Sequence, residues 1–108
     1  MRVLFDQGTP VAISDALLNH SVRTAHAEGW STLTNGELLR VAEQAGFEVL
    51  LTTDTSLPHQ QNMRGRTLAV VILTKNRWAL IEPRMKEIVA AVDSAQPGTC
   101  SVVDIPEA

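Results

Sequence analysis

Two short, unbroken apolar runs constrain this chain more than any other feature. Leu68 to Leu73 is the longest, six residues, and Val49, Leu50 and Leu51 form the heart of a second run from Phe47 to Thr53. A strand with one wet face alternates apolar and polar residues. A run without alternation belongs to a strand covered on both faces, as in the interior of a parallel sheet. Parallel strands cannot be joined by hairpins. They need crossover segments, and the segments between the apolar runs here carry helical spacing. Neither run approaches the about 20 apolar residues that span a membrane as a helix.

The rest of the chain fits that scheme. Arg2–Phe5 reads as a first strand, followed by the turn Asp6-Gln7-Gly8-Thr9-Pro10. Thr9 is placed to cap a helix that starts at Pro10 and runs to about Asn19, with Ile13, Ala16 and Leu17 on one face. Ser21 to Ala25 is a second short strand, and residues 26–34 form a loop containing Trp30. Thr34-Asn35-Gly36-Glu37 has the spacing of a capping box, and the helix behind it carries Leu38, Val41, Ala42 and Ala45 until Gly46 stops it. After the strand ending at Asp54 comes a polar loop, residues 55–66, with one helical turn after Pro58. Thr67–Leu73 is a strand, Thr74–Trp78 its exit loop, and a long helix begins near Pro83 with Met85, Ile88, Val89 and Val92 at helical spacing. Thr99–Ile105 is a last strand, parallel or an antiparallel edge. The order predicts an α/β fold, a three-layer α/β/α sandwich around a mostly parallel sheet of four to five strands with right-handed crossovers. At 108 residues it is one domain, residues 1–108.

The lone Cys100 rules out an internal disulfide and a Cys-based zinc site. An acid at the sixth position comes too early for a signal peptide, which makes the cytoplasm the default location. The net charge of −3 speaks against a strongly basic nucleic-acid binder. Its distribution is uneven: residues 1–50 carry −3, residues 51–86 carry +4 and residues 87–108 carry −4. The basic middle is either a local phosphate-binding patch or a solvated face.

Ligands of an open parallel sheet bind beyond the carboxyl ends of its strands. Two strands here end in an acid, Asp6 and Asp54. If the sheet order is 2-1-3-4, those strands are neighbours about 4.8 Å apart, and their carboxylates repel one another in one crevice. A magnesium or manganese ion relieves that repulsion and leaves room for a phosphate. Glu37, at the start of the second helix, is a third candidate acid, although the capping box already accounts for it. Asn35 could add a neutral oxygen ligand or simply open the helix. Lys75 and Arg77 leave the fourth strand at the acidic end and are the candidate phosphate contacts. Arg64 and Arg66 flank the opposite end. His20, His26 and His59 show no metal-ligand spacing. No Gly-x-Ser-x-Gly elbow, dinucleotide fingerprint or Walker loop is present.

Three segments together resemble the short stand-alone PIN-like proteins of bacteria, relatives of the VapC-type toxin ribonucleases. They are a strand ending in Asp with Pro four residues on (Leu4 to Pro10), a helix start before a Leu-rich helix (Thr34-Asn35-Gly36-Glu37-Leu38-Leu39), and the Thr52-Thr53-Asp54 strand end. The resemblance spans about residues 1–95. It implies a PIN-like fold and a metal-dependent nuclease, a ribonuclease toxin of a toxin–antitoxin pair, with Asp6, Asp54 and Glu37 as catalytic acids and Asp6, Asp54 and Asn35 around Mg2+ or Mn2+. It also implies an RNA substrate, a small antitoxin-like protein partner, and room for homo-oligomers. Two positions depart from the family pattern: Gln7 stands where an acid usually follows the first Asp, and Asn35 where the second helix usually opens with Asp. Both lower the negative charge of the site and favour a second reading, a non-catalytic PIN-like module that binds RNA or protein. A third reading is a receiver-like phosphoacceptor domain, with Asp54, Thr74 and Lys75 as its key residues. The adjacency of Thr74 and Lys75 counts against it.

Overall fold

The computed structural model describes residues 1–107. Strands β1 (Arg2–Phe5), β2 (Ser21–Thr24), β3 (Val49–Thr52), β4 (Ala69–Leu73) and β5 (Cys100–Val103) form one sheet in the order β2-β1-β3-β4-β5. All four pairings are parallel, which settles the direction of β5. The helices are α1 (Asn35–Gln44), α2 (Leu57–Gln60), α3 (Trp78–Ile81) and α4 (Met85–Asp93). A 3₁₀ helix, Val11–Ala16, joins β1 to β2, and a 3₁₀ turn, Glu82–Arg84, separates α3 from α4.

Strand alternation sorts the core into two layers. Val3, Phe5, Val49, Leu51, Ala69, Val71 and Leu73 face one side, where Ile13, Leu17, Ile81, Ile88 and Val92 cover them. Leu4, Leu50, Val70 and Ile72 face the other, under Leu38, Leu39, Ala42 and Leu57. Every residue of β3 and β4 is buried, as unbroken apolar runs require.

The crossovers do not all share one hand. The β1–β2 connection steps one way across the first face. The β2–β3 and β3–β4 connections step the other way across the second face, which amounts to the same hand. The β4–β5 connection steps in that same direction but crosses the first face, so its hand is opposite. A uniformly right-handed set therefore does not hold. The reason is coverage. With α1 and α2 on the second face, only the short 3₁₀ helix would shield the first, and α4 fills the gap with Ile88 and Val92. The segments that follow β1 and β4 thus leave toward the first face, while the segment after β3 leaves toward the second. The tip of β3 lies between two such divergences, the kind of place where open sheets bind ligands.

One helix expectation changes and one short helix is new. Thr9 caps nothing: its hydroxyl donates to the Leu51 carbonyl oxygen at 3.1 Å, tying the β1 exit loop to β3. Without a side-chain cap, the helix after Pro10 shrinks to the 3₁₀ piece, with i→i+3 bonds such as Ile13 N–H to Pro10 O. The last helix, α4, starts at Met85, just after Pro83 as expected, but a short helix, α3, occupies Trp78–Ile81 where the sequence reading ends an exit loop. Pro83 has no N–H to bond back, and the chain tightens into the 3₁₀ turn before α4. The capping box at Thr34 is present, and Gly46, at φ +85°, ends α1.

The end where the strands begin is tied by one ion pair and by a hydrogen-bonded histidine. Glu43 accepts from Arg66 Nη1 at 2.7 Å, Thr67 N at 2.7 Å and Leu68 N at 3.3 Å. His20 Nε2 meets Asp93 Oδ1 at 2.6 Å, joining the chain just before β2 to the end of α4. Partial burial pushes the Glu43 carboxyl up, but the Thr67 N–H, the Arg66 guanidinium and the Leu68 N–H together carry it below its ordinary value.

Candidate functional site

Asp6 and Asp54 lie at the carboxyl ends of adjacent strands, as the sequence predicts. The Asp6 N–H continues the ladder to Leu51 O at 2.9 Å, which sets the residue beside β3. Thr52 joins the two acids. Its hydroxyl, fully buried, donates to Asp6 Oδ2 at 2.8 Å and accepts from the Asp54 N–H at 3.1 Å. Asp6 Oδ1 accepts the Gln7 N–H at 2.8 Å.

Asp54 closes a ring of four side chains. Its Oδ1 accepts from the Ser56 hydroxyl at 2.6 Å and the Ser56 N–H at 2.9 Å. Its Oδ2 accepts from Asn35 Nδ2 at 2.8 Å. Asn35 Nδ2 also donates to Gln60 Oε1 at 2.9 Å, and Gln60 Nε2 donates to the Ser56 hydroxyl at 3.0 Å. The carboxylate only accepts, so it fixes the direction of every bond in the ring and the orientation of both amides. The Ser56 hydroxyl first, then the Asn35 amide and the Ser56 N–H, hold the Asp54 carboxyl below its ordinary value against the upward push of partial burial.

The other predicted site residues are placed as follows. Asn35 stands against Asp54 but presents its amide nitrogen, not its oxygen. Glu37 turns back on its own helix start, its Oε1 accepting from the Thr34 N–H at 3.1 Å and the Thr34 hydroxyl at 2.9 Å. The Thr34 N–H is the main reason its carboxyl lies below the ordinary value. Lys75 and Arg77 follow β4 at the same end of the sheet. Lys75 Nζ lies 3.8 Å from the exposed Glu107, and Arg77 is exposed just before α3. The Thr74 hydroxyl is engaged by the segment after β5, accepting from the Ile105 N–H at 2.7 Å. Arg66 sits at the opposite end, with Glu43.

Among the described residues, no cationic side chain forms an ion pair with Asp6 or Asp54, and no three His, Cys, Asp or Glu side chains gather into a ready-made cage. The donor set is therefore two hard carboxylates on half-buried residues. That fits a magnesium-type ion, which takes one or two carboxylates and keeps several waters. Asn35 can join through its oxygen only by turning over and giving up its bonds to Asp54 and Gln60.

A cavity of about 210 Å³ adjoins Asp6, between the β1 exit loop and the turn after β2. Sequence reasoning does not find it, because Gln7 and His26 become neighbours only through β1–β2 pairing. A larger cavity, about 280 Å³, opens at the far end between Met1, Glu48, Thr67 and Pro97 and touches neither acid. Trp30 packs edge-on against Phe47, ring centroids 6.0 Å apart, and Trp78 lies half-buried on the first face of the core. Both tryptophans close the core.

Comparison with protein-family models, with curated proteins and with solved structures returns no match.

Proposed function

We propose that this protein is a metal-dependent nuclease of the PIN-like type, a ribonuclease that hydrolyses phosphodiester bonds with Mg2+ or Mn2+ held by Asp6 and Asp54. One observation carries the reading: the Thr52 hydroxyl joins the Asp6 carboxylate to the Asp54 backbone N–H on adjacent strand ends, while among the described residues no cationic side chain pairs with either acid. When bound, the cation would supply positive charge for the phosphate in transit and acidify a water.

The chain's own part is positioning. Thr52 fixes Asp6, while Ser56 and Asn35 fix Asp54, so both acids face the ligand in one arrangement. The hydrogen bonds from Ser56 and Asn35 favour the ionised form of Asp54. Lys75 and Arg77 receive phosphates flanking the scissile one. Glu37 holds the start of α1 and acts at the site through Asn35, two residues before it. The family resemblance adds a small antitoxin-like protein that covers the acidic crevice.

The test is cleavage of single-stranded RNA in manganese and in EDTA, with wild type and Asp54→Asn. Cleavage confined to manganese and lost in the variant supports the reading. Equal cleavage in EDTA refutes the metal mechanism.

The Asn35–Asp54 hydrogen bond favours a second reading. A neutral amide already occupies one lone pair of Asp54, as suits a module that binds RNA or protein without cutting it. That module would keep its affinity for RNA or partner in Asp6→Asn and Asp54→Asn.

A further inference from the structure

We propose that the cavity beside Asp6 is a nucleobase subsite, which takes the base of a nucleotide whose phosphate lies at Asp6 and Asp54. The assignment deepens the nuclease reading and rests on it for its purpose, although binding of the base itself needs no metal.

Size sets the first limit. At about 210 Å³ the cavity falls below the roughly 300 Å³ at which pockets for drug-sized ligands begin. It suits one ring system and not a whole nucleotide, so the sugar and phosphate must lie outside it. Asp6, which lines the cavity, marks the side where they would lie.

The lining suits a flat heterocycle. Phe5 lies along its inner side, and Val11 stands at the rim with 62% of its surface exposed, one of the few large apolar side chains left in water. Gln7 and His26 also line the space, and neither side chain has a hydrogen-bond partner among the described residues. An apolar wall with a few unengaged polar groups is the usual composition of a small-molecule site. An amide and an imidazole both carry the donor and acceptor pattern that base edges require.

Both walls are held rigidly. Gly8, at φ +93°, makes the turn that Thr9 pins through its bonds to Asp6 O and Leu51 O. On the other side the Thr24 hydroxyl accepts the Ala27 N–H at 3.1 Å, which fixes the turn that carries His26. A pocket between two pinned turns exists before its ligand arrives, and that lowers the ordering cost of binding.

Charge explains why the base and not the phosphate would occupy the cavity. Without a cation, Asp6 at its edge repels a phosphate but not an uncharged ring, so the phosphate comes to Asp6 only with the cation proposed there and stays outside the cavity.

The experiment uses the four uncharged nucleosides, adenosine, guanosine, cytidine and uridine, titrated in EDTA and followed by backbone amide NMR shifts. Saturable shifts at Gly8, Thr9, Val11, Thr24 and His26 with at least one nucleoside are expected. Val11→Glu and His26→Ala both alter exposed side chains, and each should weaken that binding about tenfold while the remaining amides keep their positions. No shift up to the solubility limit, shifts centred elsewhere, or binding unchanged in both variants would overturn the assignment. The two proposals fail separately. RNA cleavage without nucleoside binding removes the subsite alone, and nucleoside binding without metal-dependent cleavage removes the nuclease alone.

Discussion

At the end of the sheet where the strands begin, Glu43 meets Arg66 at 2.7 Å and Asp93 meets His20 at 2.6 Å. At the end where they finish, Asp6 and Asp54 meet only hydroxyls, amides and backbone N–H groups. Both ends satisfy their hydrogen bonds, but Glu43 also meets a cation, whereas among the described residues Asp6 and Asp54 do not. An acid matched to a cation serves the fold. Two acids oriented by neutral donors keep their charge available and remain open to a cation from solution. The same residue types therefore stabilise one end and, on the function proposed above, equip the other.

The largest effect expected from breaking this contrast is at the open end. Asp6→Asn or Asp54→Asn should reduce manganese-dependent cleavage by more than the about 100-fold that removal of an outer-shell partner costs at metal sites. Urea melts should show a loss of at most about 1–2 kcal/mol, from the hydrogen bonds of Ser56 and Asn35 to Asp54, too little to unfold the variants. The closed end should behave in reverse. Glu43→Ala leaves Thr67 N–H, Leu68 N–H and Arg66 without their acceptor and should cost about 1–3 kcal/mol in urea denaturation, with manganese affinity unchanged. Thr52→Val lies between the two. It strips Asp54 N–H of a buried acceptor at about 1–2 kcal/mol and should also weaken manganese binding, because Asp6 loses its orienting donor.

Asn35→Asp sharpens the comparison by adding a third acid. It should tighten manganese binding several-fold and lower the melting temperature of the metal-free protein, since a donor becomes a second carboxylate against Asp54. The smallest effect is with pH. Asp54 and Glu43 both have lowered values in the folded state, so their contribution is fully present above the ordinary carboxylate range. It is lost as pH falls through the folded values, because the unfolded chain takes up protons first. Urea midpoints should therefore decline below about pH 4, and Glu43→Ala should flatten part of that decline.

What the sequence made legible was mostly local or periodic. The capping box at Thr34 and Glu37, the buried strands at Val49–Thr52 and Ala69–Leu73, and the acids at two strand ends follow from spacing alone. What stayed hidden depends on partners far along the chain. Thr9 looks like a helix cap until its hydroxyl is claimed by Leu51, 42 residues away. Thr52 is ordinary strand threonine until β1 lies beside it. Ser56 and Gln60 read as polar loop, yet they complete the ring around Asp54. The hand of the last crossover is set by which face still lacked cover, a property of the whole sheet.

The central claim is that Asp6 and Asp54 act together on one cation. Calorimetric titration of manganese into the wild type and into the Asp6→Asn/Asp54→Asn double variant tests it most directly. The wild type should bind near one ion per chain and the folded variant none. Heat that is equal in both proteins, or absent from both, would contradict it.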